Sequence, residues 1–134
     1  MRITGLLIRA TLALTLASTV FACGGSSSST SPTTPDGPIV DSATITITAS
    51  GVSAHAIRVS AGTQVTFVNH DTQAHEMFSD PHPEHTDCPE LNQVGHLEPG
   101  QSRQSGNLTV VRTCGFHDHI HPDSAALKGT ITVQ

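Results

Sequence analysis

An all-β fold, an antiparallel Greek-key β-sandwich, is what this sequence predicts, and three observations predict it. Residues 44–49, TITITA, alternate strictly between apolar and polar side chains, the period of a strand with one buried face. Short runs of the same kind recur down the chain, separated by turn residues such as Ala61-Gly62 and Glu98-Pro99-Gly100. Nothing from residue 39 onward carries helical periodicity beyond one turn near residues 88–92. Many short strands between turns suit a sandwich better than a bundle or a helix-covered sheet.

The 134 residues divide into three segments. Residues 1–22 read as an export signal, with Arg2 and Arg9 before an apolar run over residues 10–21 and the small Ala22 at its end. Val20, Phe21, Ala22 and Cys23 resemble a bacterial lipobox, which implies a signal of the lipoprotein type and lipid on Cys23. Residues 23–38 follow as a Gly/Ser/Thr/Pro tether with no apolar side chain to bury beyond Cys23. Its length as a coil is about 20 Å, enough to hang a domain just off a membrane on the periplasmic or cell-surface side.

Residues 39–134 are then the folded domain. Removing Arg2 and Arg9 from the 6 basic residues leaves 4 against 11 acidic ones, a net charge near 4 − 11 = −7. Such a surface argues against nucleic acid and suits a basic protein partner. With no Trp and no Tyr, the core must be filled by Ile, Val, Leu, Ala and Phe.

In chain order, Ile45 and Ile47 mark the buried face of the first strand. Ile57 and Val59 mark the second, over residues 56–60, and Val65 and Phe67 the third, over residues 64–69. A polar loop over residues 69–74 delivers His75, Glu76, Met77 and Phe78. Residues 79–93, rich in Pro and Asp, cannot be a regular strand, and long irregular loops of this kind commonly carry function. Residues 101–108 read as an exposed strand, residues 109–114 as a strand ending at Cys114, and residues 128–134 as the closing strand with Ile131 and Val133 inward.

Within residues 114–121 lie one thiol, Cys114, and three imidazoles, His117, His119 and His121. Thiolate and imidazole are soft and borderline donors, suited to copper or zinc and unsuited to magnesium or calcium. No Ser/His/Asp order or paired-carboxylate constellation supports hydrolysis.

Two motifs in this order resemble the cupredoxins, the small blue type 1 copper proteins that include plastocyanin and azurin. VSAGTQVTFVNHDTQAH is similar to the segment that delivers the family's first ligand histidine, here His75. TCGFH is similar to the segment carrying the ligand cysteine, here Cys114, and a histidine three residues on, here His117; LKGTITV is similar to the final strand. The resemblance implies copper bound by His75, Cys114 and His117, with His119 or His121 as alternatives for the second imidazole or the fourth ligand. It implies electron transport by a one-electron Cu(I)/Cu(II) carrier serving a redox protein partner, rather than an enzyme. Leu127 stands where the axial methionine is expected and cannot ligate. Glu76 stands where an asparagine is usual, which brings the site closer to the red copper protein nitrosocyanin and allows an open, reactive copper.

Cys88 introduces a competitor. Two cysteines in an exported domain suggest a disulfide, which would remove the Cys114 thiolate; the position of Cys114 at a strand end before three histidines favours the copper ligand. The competing functions are a periplasmic copper buffer or delivery protein, or a disulfide-stabilised binding domain without blue copper. His82 and His85 offer a second, weaker metal site with Asp80, Asp87 or Glu84, while Asp118 and Asp123 suit the orientation of imidazoles. His55, His70 and His96 read as surface residues, and Met77 as core.

Overall fold

The computed structural model describes residues 39–134. The predicted signal over residues 1–22, Cys23 and the tether to residue 38 lie outside the described residues. Ten strands form: β1 (Val40–Asp41), β2 (Thr44–Thr48), β3 (Gly51–Val52), β4 (Ala56–Val59), β5 (Thr66–Asn69), β6 (His75–Ser79), β7 (Gly95–Leu97), β8 (Ser102–Gln104), β9 (Arg112–Asp118) and β10 (Lys128–Val133). They make a six-stranded sheet in the order β1-β4-β10-β9-β6-β7 and a four-stranded sheet in the order β3-β2-β5-β8. Two short 3-10 turns, Pro89–Gln93 and Ala125–Leu127, are the only helical elements among the described residues. The first is the single turn expected near residues 88–92, anchored by the buried Leu91.

The alternation in the sequence becomes the core. Ile45 and Ile47 of β2 and Phe67 of β5 are buried on one sheet; Ile57, Phe116, Ile131 and Val133 are buried on the other. Phe67 meets Phe116 edge-to-face across the sandwich, with ring centroids 5.4 Å apart. Burying each such side chain contributes about 1.5–3 kcal/mol, so the two rings carry much of the inter-sheet contact that Trp and Tyr supply elsewhere. Gly129 is small because the Phe116 ring lies against it, where a Cβ would come within 2.5 Å of the ring edge.

Two expectations are corrected. The strand pairing is mixed rather than antiparallel: β2 runs parallel to β5, and β4 parallel to both β1 and β10. The chain crosses between sheets after β3 and again after β4, so β4 pairs with β1 and β10 rather than with its sequence neighbours β3 and β5. The strand expected to end at Cys114 instead starts at Arg112 and runs on to Asp118. Val110 and Val111, inside the range expected for it, are 51% and 69% exposed. What fixes the register is the inward set Cys114, Phe116 and Asp118, all buried, together with hydrogen-bonded neighbours on both edges, β10 and β6.

Candidate metal centres

β9 lies beside β6 in antiparallel register, with Met77 opposite Asp118 and Phe78 opposite His117. Side chains alternate along both strands. His75, Met77 and Ser79 therefore share the inner face with Cys114, Phe116 and Asp118, while Glu76 and Phe78 share the outer face with Gly115 and His117. Two groups of ligating side chains result, one toward each face.

The inner group forms where β6 begins and β9 ends. Asp118 is fully buried, and its Oδ1 accepts the backbone N–H of Glu76 at 2.9 Å and of Ile120 at 3.2 Å. Its Oδ2 meets the Nδ1 of His75 at 3.0 Å and the Nδ1 of His121 at 2.8 Å. The chain turns back after β9, with the Ser124 N–H on the His121 carbonyl, and this turn carries His121 to the carboxylate. The other nitrogen of His75, Nε2, faces Asp71 Oδ2 at 3.2 Å. One donor atom each from His75, Asp118 and His121 lies within 4.8 Å of the others.

Charge fits this group to a cation. Burial by itself raises the Asp118 pKa, but the Glu76 N–H, the imidazoles of His75 and His121 and the Ile120 N–H together hold it below the ordinary carboxylate value. The Thr72 N–H, assisted by His75, lowers Asp71 as well. Both nitrogens of His75 thus face carboxylate oxygens, and a neutral ring has one N–H, which satisfies one of them. His75, His121 and Asp118 would hold a cation between them, which would satisfy the rest and leave Nε2–H on Asp71 to orient the ring, as outer carboxylates do for ligating histidines.

The outer group contains His82, His85, His117 and His119, again with one donor atom each within 4.8 Å of the others. Burial first, and then the neighbouring imidazoles of His117, His119 and His82, lower the His85 pKa, which favours its neutral form. Glu84 and Asp87 are exposed and stand outside this group; Asp80 touches it through His117 Nδ1 at 2.7 Å.

The sequence expectations separate accordingly. Cys114 is bonded to Cys88, with Cα atoms 5.7 Å apart, so the expected thiolate ligand is replaced by a disulfide that ties the loop before the first 3-10 turn to the middle of β9. His75 lies in one of the two groups that could hold a metal, with His121 as the neighbouring imidazole; His117 and His119 belong to the other face. Leu127 lies in the core and offers no donor, Met77 is core at 1% exposure, and the Glu76 carboxylate is in neither group. Sequence reasoning gave Asp118 an orienting role and missed it as a donor. The signal was present: Asp118 and His121 repeat the three-residue spacing of Cys114 and His117.

No protein-family model and no curated protein matches the chain. Solved structures do. A purple cupredoxin from Nitrosopumilus maritimus is 19% identical, with a TM-score of 0.54, over 69% of this chain and 100% of that one. The oxidized form of plastocyanin from Dryopteris crassirhizoma is 25% identical, with a TM-score of 0.52, over 68% and 99%. A Cu-containing nitrite reductase from Thermus scotoductus is 21% identical, with a TM-score of 0.55, over 68% of this chain and 22% of that one. The likeness in topology and extent makes the fold of this domain the cupredoxin β-sandwich.

Proposed function

We propose that this protein binds copper at His75, Asp118 and His121 and serves outside the cytoplasm as a one-electron carrier, held at a membrane through Cys23. The observation that carries the reading is the meeting of two imidazole Nδ1 atoms on one oxygen of a buried carboxylate. The fold supports copper, since its neighbours include a purple cupredoxin, a plastocyanin and a Cu-containing nitrite reductase. Copper held there supplies a Cu(I)/Cu(II) couple. The sandwich would hold the three donors in place in both states, since Asp71 orients His75 and the two backbone N–H groups fix the Asp118 carboxylate.

A carboxylate in place of a thiolate is a harder ligand and favours Cu(II), so the potential lies below that of a thiolate site in the same fold. His121 would be the outermost ligand, and its 43% exposed side chain supports electron exit through that ring. The acidic domain suits a basic redox partner. That exposure equally favours a second reading, a copper buffer or delivery protein, which needs exchangeable metal and no reversible couple.

Copper titration of the unreduced protein, with a thiol count and voltammetry, tests this. Tightly held Cu(II) without an intense thiolate-to-copper band, a reversible wave, and loss of that wave together with one equivalent of Cu(II) in Asp118→Ala are expected. An intense band in protein with two free thiols would return the site to Cys114; tight copper without a wave would favour the buffer.

A further inference from the structure

We propose that His82, His85, His117 and His119 form a second, separate metal site on the outer face of the six-stranded sheet, taking a divalent late transition ion, Zn(II) or Cu(II), in an all-imidazole shell. The inference stands whether or not the inner group holds copper, because it rests on different side chains. His117 is 1% exposed, and its Nε2 is one of two buried side-chain polar atoms among the described residues with no hydrogen-bond partner. A buried nitrogen without a partner needs an explanation, and its place in a group of four clustered imidazoles offers a simple one.

The surroundings are built to present that lone pair. Asp80 Oδ1 lies 2.7 Å from His117 Nδ1, so that nitrogen carries the proton and Nε2 is free to ligate, the arrangement in which outer carboxylates set the tautomer of metal-bound histidine. Gly115 makes room for it: a Cβ there would collide with the Asp80 carboxylate. Phe78 stacks on His85 with ring centroids 4.6 Å apart and meets His119 edge-on at 5.5 Å, which holds both rings against the sheet. His85 sits in the left-handed region at φ 54°, uncommon for a residue with a side chain, and its carbonyl is fixed by the Asn92 side chain.

The rings themselves are close enough. His82 lies 4.9 Å from His119 and 5.3 Å from His117 between centroids, and His85 lies 5.2 Å from His117 and 4.9 Å from His119. His119 Nδ1 and His85 Nε2 are 3.1 Å apart, close to the spacing of about 3.3 Å between two nitrogens on one tetrahedral zinc. Four imidazole nitrogens suit zinc and copper and discriminate against magnesium and calcium. His82 is exposed, so the ion has a route in and out.

Calorimetric titration of the metal-stripped, unreduced full chain with Zn(II), and separately with Cu(II), tests the assignment. Asp118→Asn is expected to retain one equivalent of at least one ion, with X-ray absorption showing nitrogen at about 2.0 Å and an imidazole shell. Adding His82→Ala or His119→Ala, both outside the core, is expected to weaken that equivalent by more than the roughly 10–100-fold typical of losing an outer partner, while Asp80→Asn weakens it by about that range. Whichever ion binds more tightly identifies the occupant. Neither ion binding to Asp118→Asn, an oxygen-dominated shell, or affinity indifferent to His82, His85 and His119 would overturn the site. The Cys88–Cys114 bond and the thermal midpoint check that each variant is folded.

Discussion

His117 and Asp118 are consecutive in β9, yet their side chains leave opposite faces of one sheet: Asp118 meets His75 and His121 on the inner side, and His117 meets Asp80 under the loop on the outer side. The two-residue period of a strand makes this unavoidable once β9 extends through both. It sorts a single histidine-rich run into two groups with different chemistry, one with a carboxylate and one without.

Asp118 stands three residues before His121, the spacing that the resemblance gave to Cys114 and His117. Replacing it should therefore create what Cys114 does not provide: Asp118→Cys, loaded with Cu(II), is expected to gain an intense visible thiolate-to-copper band with His75 and His121 as the other ligands. The parent is expected to show none. Absorption spectra of both proteins at equal copper loading decide it, and a colourless Asp118→Cys with an intact Cys88–Cys114 bond would count against the assignment.

The disulfide is structural in this arrangement. Closing the 26-residue separation between Cys88 and Cys114 stabilises the fold by about 3.5 kcal/mol on the loop-entropy model. Reduction, or the double change Cys88→Ser with Cys114→Ser, is expected to lower stability by about 3 kcal/mol in urea unfolding. Copper at the inner group should survive in the double variant at temperatures where it remains folded.

Acid should unfold the metal-free domain early, and the sign follows from the carboxylates. Asp118 and Asp71 are held below their ordinary value. Their contribution is therefore complete above the unfolded value of about 4 and is lost as pH falls through the lower folded one. His85, depressed chiefly by burial, acts in the same direction from an unfolded value near 6.5 downward. Urea titrations at a series of pH values should show stability falling as pH drops below about 6 and more steeply below about 4. Asp118→Asn is expected to flatten the lower part of that slope while reducing stability at neutral pH.

Gly115→Ala probes the outer group without touching a ligand. A Cβ there displaces Asp80, releasing His117 from its orienting carboxylate. Zn(II) affinity of the outer group is expected to fall by about 10–100-fold, with copper at the inner group unchanged. An unaltered zinc affinity would mean that Asp80 does not position the ring.

Much of this protein is legible in its sequence. The alternation of Ile45, Ile47, Ile57, Val59, Val65 and Phe67 determined a β-sandwich and its core, because burial of one strand face imposes a two-residue period on any chain that forms it. Composition fixed the acidic surface, and the histidine-rich run with His75 marked the region where the candidate metal ligands gather. The tertiary structure decided the rest. Whether Cys114 is a thiolate or half of a disulfide depends on where the loop over residues 80–94 returns to β9, and no local pattern encodes that distance. Which imidazole joins His75 depends on the last residue of β9, because a one-residue change in strand phase sends every side chain to the other face. Residues 109–114 read locally as a strand ending at Cys114; contacts with β6, β10 and Phe67, distant in sequence, place the strand at Arg112–Asp118 and thereby put His121 in one group and His117 in the other.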